Sequence, residues 1–378
     1  MGLQLDYNDK RVIDVLRSQG TQSRSHLVRS ARLTAPTLTR LTQKLIDHGL
    51  LKDSHKLHDG QRGKPAQLLT LDPDGAYSVG IAVQSEFVSV CLIDLVGNLR
   101  GETVKNLDVP QPGSIAKLCK QMLAKLIDES GVARKRIIGA GVCMPGTTIS
   151  DGSQERRHGA PGHLPEEFEA WRGVDFKSLF TQALNLPTWF ENSSKAATLA
   201  DTYFGAGQTL SDFAVIHIAY GLGGGIILNR HLYRGVLGRA GEFGGLFPNE
   251  EVRASGRDLL LFLADRMKNP PRHLRELGSV AVPPDLIEAW IERVRPGLAS
   301  LCLQIAVILD LPAIVLNGLL PLSVLNPLAQ SLREHPPRLP PGLIMPEILV
   351  SRLSQAGLGM GAASLPLYFA TAPELHSQ

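Results

Sequence analysis

Hydrophobic residues at helical spacing predict two short helices near the N-terminus, over residues 23–31 and 34–49. Ser23 and Thr34 belong to the residue types that cap helix N-termini, and Gly49 belongs to the type that ends helices. The Arg-Leu pair between the two segments interrupts the apolar periodicity. The pattern therefore predicts two helices joined by a tight turn.

An earlier apolar stripe predicts a third helix that packs on this pair. Val12, Ile13 and Leu16 are spaced to face inward, and Asn8 or Asp9 is available as the N-cap. Three helices of this length can share one small apolar core. We therefore expect the N-terminal region to fold as a small helical domain.

Two strand-like runs, residues 50–51 and 67–71, follow the helices and flank the polar segment 52–65. This order is typical of a winged helix, in which the polar segment forms the wing. Arg62 and Lys64 lie at the expected tip of the wing, where basic side chains suit a DNA minor groove. The alternative is that the hairpin is a solvated structural element.

The polar face of the helix over residues 34–49 suits the major groove of DNA. A helix that presents donors and acceptors near its N-terminal end can contact phosphates and base edges. The candidate DNA contacts on this helix are Thr34, Thr37, Thr39, Arg40, Gln43 and Lys44.

The distribution of charge agrees with DNA as the partner of the N-terminal region. The chain has 378 residues and a formal net charge of only +3. Residues 1–75 contain 12 Lys and Arg against 8 Asp and Glu, whereas the remainder contains 27 against 28. A phosphate backbone attracts such a basic region. The length, together with an apolar content of 43%, predicts two or three domains with substantial cores.

Cysteine spacing and hydropathy predict a cytoplasmic protein with no membrane partner. The four Cys residues are far apart and form no C-x-x-C motif, so neither a disulfide framework nor a thiolate zinc site is indicated. The N-terminus lacks an apolar signal core. The most apolar stretch, residues 305–325, is interrupted by Asp310 and by prolines, so we do not expect it to span a bilayer.

After residue 77 the pattern changes to alternating strands and helices, which predicts an α/β fold. We expect two α/β lobes, each of which opens on a strand hairpin. The predicted divisions are a winged-helix domain at 1–71, a linker at 72–77, a first lobe at 78–204 closed by a C-terminal helix at 357–378, and a second lobe at 205–356.

A glycine run follows the first strand of the second lobe. Glycines in a turn between strands let backbone N–H groups approach a phosphate, because no Cβ is in the way. Gly221, Gly223 and Gly224 are therefore candidates for a phosphate-binding loop. The alternative is a plain hairpin turn.

Several segments together resemble the ROK family of repressors, open reading frames and sugar kinases. The resemblance covers nearly the full length of the chain. The segments that carry it are the wing tip at 61–65, the hairpin at 78–97, the motifs at 171–174 and 190–192, the glycine-rich stretch at 219–244 and the closing helix from 361. The resemblance implies an actin-like, hexokinase-like two-lobe fold of the ATPase type, preceded by a winged helix-turn-helix domain. It also implies a regulator of transcription that binds a double-stranded operator and senses a carbohydrate.

Two departures from the family pattern argue against catalysis. Sugar kinases of the family have an Asp after the Asn of the motif at 190–192, and Ser193 stands in its place. They also have an Asp in the first strand, and Ala82 stands there. Serine cannot replace an anionic general base, and alanine cannot hold a metal ion. We therefore expect no catalytic residues and no enzymatic activity, and the glycine loop would be vestigial.

A third departure concerns zinc. Many members of the family place a His and three Cys shortly after their Gly-Glu-x-Gly segment, as ligands of a structural zinc ion. Here Gly245 stands at the position of the His, and no Cys occurs between Cys143 and Cys302. We expect neither a zinc ion nor another cofactor.

The polar residues that remain form the expected ligand site. The residues assigned to it are Asn192, Glu242, Gly245 and His163. Asn192 offers a donor and an acceptor, and Glu242 accepts from two hydroxyl groups, which is a common way of binding polyols. The alternative is that Asn192 caps the following helix and that Glu242 pairs with Arg239 or Lys195.

The sequence thus predicts a DNA-binding repressor with a sugar or sugar derivative as its effector. We expect a homodimer or homotetramer in which closure of the lobes around the ligand changes the spacing of two winged helices. Two alternatives remain. One is an active sugar kinase that also binds DNA, and the other is a regulator whose lobes respond to a protein partner.

Overall fold

The chain divides into two compact units, each of which is assembled from more than one stretch of sequence. The first unit contains residues 1–143, 174–191 and 362–378, and the second contains 144–173 and 192–361. The structure is a computed structural model, and it describes residues 5–54, 68–107, 111–146, 149–150, 155–156, 166–247, 253–353 and 357–372.

The N-terminal part of the first unit is a winged helix, as predicted. Its elements are α1 (Tyr7–Gln19), β1 (Gln22–Ser23), α2 (Arg24–Ser30), α3 (Ala35–Asp47), β2 (Leu51–Ser54) and β3 (Leu68–Leu71). The three strands form an antiparallel sheet in the order β1-β3-β2, in which Leu51 pairs with Leu71. Ser23 and Thr34 cap α2 and α3 by accepting from the backbone N–H groups of His26 and Thr37.

The predicted start of the first helix at Asn8 or Asp9 is wrong. Helix α1 begins at Tyr7, and Asp6 is the N-cap residue. The side chain of Asp9 reaches back to accept from the backbone N–H of Asp6 at 2.9 Å. An acidic residue three positions after the cap therefore satisfies the cap's own backbone donor, which moves the start of the helix toward the N-terminus.

The next segment supplies a five-stranded sheet in the order β10-β7-β4-β5-β6. The elements are β4 (Tyr77–Val83), β5 (Phe87–Asp94), β6 (Leu99–Asn106), α4 (Pro112–Ser130), β7 (Ile137–Met144), β8 (Ile149–Ser150), β9 (Glu155–Arg156), α5 (Phe176–Leu184) and β10 (Thr188–Asn192). Strands β4, β5 and β6 are antiparallel neighbours, and β7 is parallel to β4. The pair β8 and β9 is separate from this sheet.

The second unit contains a sheet with the same strand arrangement, in the order β13-β12-β11-β14-β15. The remaining elements are α6 (Ser193–Phe204), β11 (Phe213–Ile218), β12 (Leu222–Leu228), β13 (His231–Tyr233), α7 (Gly256–Ala264), α8 (Pro284–Leu309), β14 (Ala313–Gly318), α9 (Leu322–Glu334), β15 (Glu347–Val350) and α10 (Gly357–Thr371). Strands β11, β12 and β13 are antiparallel, and β14 and β15 run parallel to β11.

The shared arrangement confirms two α/β lobes that each open on a strand hairpin. Central strands β4, β5, β11 and β14 are buried along their whole length, so they read in the sequence as continuous apolar runs. All four Cys side chains are free thiols and buried, as the sequence led us to expect. Across the residues that the structure describes, no helix is both long enough and apolar enough to cross a bilayer.

The division into units differs from the sequence-based boundary after residue 204. Helix α6 belongs to the second unit, where it packs against β12. Residues at the predicted linker are also ordered: a short 3₁₀ turn covers Pro73–Gly75, and β4 begins two residues later.

Helix α10 packs closely on the sheet of the first unit. The hydroxyl of Ser78 donates to the backbone carbonyl of Ala363 at 2.6 Å. A Cβ placed on Gly141 in β7 would lie well inside contact distance of the backbone carbonyl of Ala362. A backbone obstacle cannot move aside as a flexible side chain can, so this position requires glycine.

We predict that Gly141→Ala lowers the free energy of unfolding by about 1–3 kcal/mol, because the added methyl group overpacks the interface between β7 and α10. The matched control is Gly113→Ala, in helix α4, where an added Cβ would meet open space. There we expect no loss and a gain of up to about 1 kcal/mol from helix propensity. Urea denaturation of both variants tests the difference. Equal stabilities would contradict the close approach.

Candidate functional site

The exposed face of α3 is the candidate DNA-reading surface. Thr39, Arg40 and Gln43 are exposed, whereas Leu38 and Leu41 are buried in the core of the domain. This alternation follows the helical period, so the apolar stripe read from the sequence also defines the opposite, polar face. The predicted contact residues Thr39, Arg40 and Gln43 therefore share the exposed face of α3.

Several of these side chains already have partners within the helix. The hydroxyl groups of Thr34 and Thr37 are 2.8 Å apart, and the hydroxyl of Thr39 donates to the carbonyl of Ala35 at 2.9 Å. The amide of Gln43 donates to Asp47 at 2.9 Å. These exposed bonds exchange readily with water or with a ligand, because the groups are not enclosed.

Lys44 has the strongest intramolecular pairing of the set. Its ammonium group lies 2.6 Å from the carboxylate of Asp9 and 3.1 Å from that of Asp6. Asp9 is fully buried and Lys44 is about 30% exposed. Hydrogen bonds from Asp9 and then Asp6 raise the pKa of Lys44 above its ordinary value. The sequence could not indicate this ion pair, which joins α1 to α3 across 35 residues.

Arg40 has a different environment. It is exposed, and within the described ranges its side chain makes neither a hydrogen bond nor an ion pair. Two further arginines share this condition and were not among the predicted contacts: Arg29, on α2, and Arg32, in the turn between α2 and α3. In the sequence, these arginines contribute to the positive net charge of the N-terminal region. A net charge does not show which of the basic residues are exposed and unpaired.

Arg32 is notable for its backbone conformation. Its φ angle is +48°, in the left-handed region that favours glycine. The turn between α2 and α3 needs that conformation to redirect the chain. The remaining predicted contacts, Arg62 and Lys64, lie outside the described residues.

The candidate ligand residues of the second unit gather around the N-terminus of α6. Asn192 caps this helix, because its side-chain oxygen accepts from the backbone N–H groups of Ser194 at 2.8 Å and Lys195 at 3.3 Å. Its side-chain nitrogen donates to the carbonyl of Gly146. Asn192 therefore caps the following helix, which was the alternative to a role in ligand binding. Its two sets of hydrogen bonds also hold two segments of the unit together.

The second member of this group, Glu242, pairs with Lys195. The ammonium group of Lys195 lies 3.3 Å from Oε1 of Glu242 and 2.6 Å from the carbonyl of Gly238. Lys195 is only 1% exposed, whereas the side chain of Glu242 is 34% exposed. Among the described residues, Oε2 of Glu242 has no hydrogen-bond partner. One oxygen of the carboxylate is thus held in place while the other remains available to a hydroxyl donor.

Helix α6 is fixed deep in the second unit by Asp201. The carboxylate of Asp201 accepts from Ser351 at 2.7 Å and also from the amide of Asn317. Burial raises the pKa of Asp201 to about 6, although both of these hydrogen bonds act in the opposite direction. These bonds tie the C-terminal half of α6 to β14 and to the residue that follows β15.

The glycine run does not form the predicted loop. Strand β12 begins at Leu222, so Gly223 and Gly224 lie within a strand and only Gly221 lies in the turn. A Cβ on Gly223 would collide with the side chain of Ser194, and one on Gly225 would collide with that of Thr198. These glycines are needed for the close approach of α6 to β12, and that requirement accounts for them without a phosphate.

The other predicted positions are as follows. Ser193 is buried in the first turn of α6 in the second unit, and Ala82 is buried in β4 of the first unit. Gly245 is exposed, and a Cβ there would meet nothing within 4 Å. His163 lies outside the described residues. Within the described ranges, no three His, Cys, Asp or Glu side chains come together in a group that could hold a metal ion.

Comparisons with known proteins agree with this architecture. The family model described as "ROK family" matches residues 79–257. The xylose repressor of Bacillus subtilis is 26% identical over 239 residues, which are 63% of this chain and 59% of the repressor. The chain therefore matches less than two thirds of that relative.

Two solved structures show the fold. A ROK family transcriptional regulator, described as a homologue of the Escherichia coli MLC protein, superposes with a TM-score of 0.69 at 19% identity, over 97% of this chain and 98% of the other. A ROK family glucokinase from Streptomyces griseus, solved with glucose and AMPPNP, gives a TM-score of 0.59 at 22% identity, over 77% of this chain and 99% of the kinase. The expected actin-like, hexokinase-like fold behind a winged helix is confirmed.

We predict that Lys44→Met destabilises the winged helix by about 1–3 kcal/mol, because it leaves the buried carboxylate of Asp9 without its cation. Urea denaturation measures the loss. In the double variant Asp9→Asn with Lys44→Met, we expect a smaller loss than the sum of the single substitutions. Unchanged stability in Lys44→Met would mean that the ammonium group serves only an external partner.

Proposed function

We propose that the chain is a member of the ROK family, whose model matches residues 79–257, and that it is a sequence-specific, sugar-responsive repressor of transcription whose kinase-derived domain has no kinase activity. The winged helix would bind an operator, and a sugar or sugar derivative bound near Glu242 would change the affinity for that operator. The observation that carries the proposal is an exposed DNA-reading helix joined in one chain to a ROK domain that has Ser193 in the place of a general base.

Support for the DNA-binding part comes from the three exposed arginines of the winged helix. Arg29, Arg32 and Arg40 have no intramolecular partner in the described part of the chain, so their charges are available to phosphates and base edges. A relative named xylose repressor and a structural neighbour titled as a transcriptional regulator agree with this role.

Support for the ligand-sensing part comes from the geometry around Glu242. A carboxylate with one oxygen held by a buried ammonium group presents its second oxygen in a fixed direction, which suits a sugar hydroxyl. The name of the xylose repressor and the glucose bound to the related glucokinase suggest a pentose or hexose. Differential affinity of such a ligand for two conformations is sufficient to regulate DNA binding.

Support for the loss of catalysis comes from Ser193. A serine hydroxyl has no charge with which to accept the proton of a sugar hydroxyl at neutral pH, and a general base contributes roughly 10²–10⁴-fold to rate. The rival proposal, an active sugar kinase, requires ADP release from ATP in the presence of a sugar. We expect none with glucose or xylose in a coupled assay.

For the DNA-binding part, we predict that Arg40→Ala weakens binding to the operator by about 1–3 kcal/mol and relaxes its sequence preference. Arg29→Ala should weaken all duplexes alike and reduce the salt dependence of binding by roughly one phosphate contact. The measurement is a fluorescence-anisotropy titration, across several salt concentrations, with duplexes that tile the region upstream of the gene.

The matched control for both substitutions is Arg352→Ala, which removes an exposed arginine of the second unit. This variant should bind DNA like the parent. If Arg29→Ala and Arg40→Ala also behaved like the parent, the proposed DNA-reading surface would be wrong.

For the ligand-sensing part, we predict that Glu242→Gln raises the dissociation constant of the effector by about 10- to 100-fold, because a charged acceptor becomes neutral. The side chain of Gln keeps an oxygen for Lys195, so the fold should be preserved. Thermal shift and calorimetry with glucose and xylose measure the change. Operator affinity without sugar should not change.

Glu334→Gln, on the exposed face of α9, is the control for loss of one carboxylate. Sugar binding of equal strength in the parent and in Glu242→Gln would place the ligand site elsewhere. A parent that no sugar stabilises, yet which binds DNA, would favour regulation by a protein partner.

A further inference from the structure

The winged helix is attached to the first lobe through an ordered joint. The joint is the 3₁₀ turn at Pro73–Gly75, which Asp72 caps by accepting from the backbone N–H of Asp74. The backbone N–H of Asp72 donates to Leu50 at 2.9 Å, and that of Leu95 in the lobe donates to Pro73 at 3.2 Å. Main-chain hydrogen bonds thus join the turn to the winged helix on one side and to the first lobe on the other.

Side chains of the lobe add further restraints to the same joint. Arg136 donates to the carbonyl of Asp74 at 2.7 Å, and Tyr77 and Arg100 donate to its carboxylate at 2.8 and 2.7 Å. A Cβ on Gly75 would lie 2.5 Å from the carbonyl of Gly49, at the end of α3. Backbone therefore packs directly on backbone, which leaves the joint little freedom to bend.

A second attachment lies far from the joint in the sequence. Arg17, near the end of α1, donates to the hydroxyl of Thr371, in the last turn of α10, at 2.7 Å. The two residues are 354 positions apart, and both are buried. The hydroxyl of Thr371 in turn donates to the carbonyl of Leu367 at 2.6 Å. Two separate attachments fix the orientation of a domain, whereas one would allow it to rotate.

Helix α10 carries residues of both units. Residues 357–361 belong to the second unit, where a Cβ on Gly361 would lie 2.8 Å from the backbone of Ala196, the neighbour of Lys195. Residues 362–371 belong to the first unit and end at the contact with Arg17. Within the first unit, α10 therefore runs from Ala362 to the contact with Arg17.

We propose that Arg17 and Thr371 are positioning residues, which tie the orientation of the DNA-reading helix to helix α10. Helix α1 passes this orientation on to α3 through the ion pair between Asp9 and Lys44. In an oligomer with two winged helices, the bond between Arg17 and Thr371 then sets the half-site spacing that the protein accepts. This inference rests on the proposed function, because it concerns the same DNA-reading surface.

The test compares Thr371→Val with Thr371→Ser. Valine keeps the shape of the side chain but cannot accept from Arg17, whereas serine keeps the hydroxyl group. The control for loss of a buried threonine hydroxyl is Thr202→Val, in α6, where, among the described residues, the hydroxyl donates only to the carbonyl of Thr198. Any general effect on stability should appear in both valine variants.

The measurement uses the upstream duplex that the parent binds most tightly, together with versions in which one or two base pairs are inserted between its half-sites. Each inserted pair separates the half-sites by about 3.4 Å and rotates one by roughly 35°. A rigidly held pair of reading helices should bind the inserted versions much more weakly than the original. A single half-site duplex reports the affinity of one winged helix.

We expect the parent, Thr371→Ser and Thr202→Val to discriminate against the inserted versions by roughly tenfold or more, which is also the order of the effect that removing one hydrogen bond to a charged group can have. Thr371→Val should lose most of that discrimination and bind the half-site duplex as the parent does. Discrimination by Thr371→Val equal to that of the parent would overturn the positioning role, while DNA binding itself stood. A parent that binds none of the duplexes would overturn the proposed function as well.

Discussion

Close backbone contact at glycine is the constraint on which the packing within each unit depends. Helix α10 lies against β7 at Gly141, and Gly361 within α10 lies against α6. The same kind of contact joins the end of α3 to the turn at Gly75. Each contact requires a position without a Cβ, so the positions of α6 and α10 are determined by sterics before any polar interaction is considered. The candidate ligand site and the attachment of the winged helix both depend on these two helices.

The same constraint is compatible with the proposed loss of catalysis, because it preserves the structure without any catalytic group. In such a fold a glycine run suggests a phosphate cradle, but here Gly223 and Gly225 are needed where α6 crosses β12. Glycines of this kind persist for packing reasons whether or not a nucleotide binds. The pairing of Lys195 with Glu242 then gives the unit a fixed polar centre that needs no general base. The proposed ligand sensor would require shape and hydrogen bonding, neither of which depends on a carboxylate at the position of Ser193.

The cationic side chains of the candidate DNA-reading surface have two different environments. Lys44 stabilises the domain by neutralising the buried carboxylate of Asp9, whereas Arg29, Arg32 and Arg40 remain exposed. A buried carboxylate without a cation would be costly, so the ion pair stabilises the domain as well as linking α1 to α3. If the domain binds DNA as we propose, its affinity for a phosphate backbone would depend on few side chains, and the orientation of the domain would matter more for the choice of a site.

Local signals in the sequence determined the caps of α2 and α3 and the central buried strands, but not the start of α1. Ser23 and Thr34 mark the starts of α2 and α3, and continuous apolar runs identify the buried strands. Both signals are visible in the sequence because capping and strand burial depend on a few neighbouring residues. Helix α5 was missed although Asp175 caps it and Phe176, Phe180 and Leu184 form its buried stripe. Only the tertiary structure decided the partners of charged side chains, such as Lys44 with Asp9 and Arg17 with Thr371. Those partners are 35 and 354 residues apart. Composition and periodicity carry no information about which distant side chains a fold brings together, since that depends on how whole helices pack.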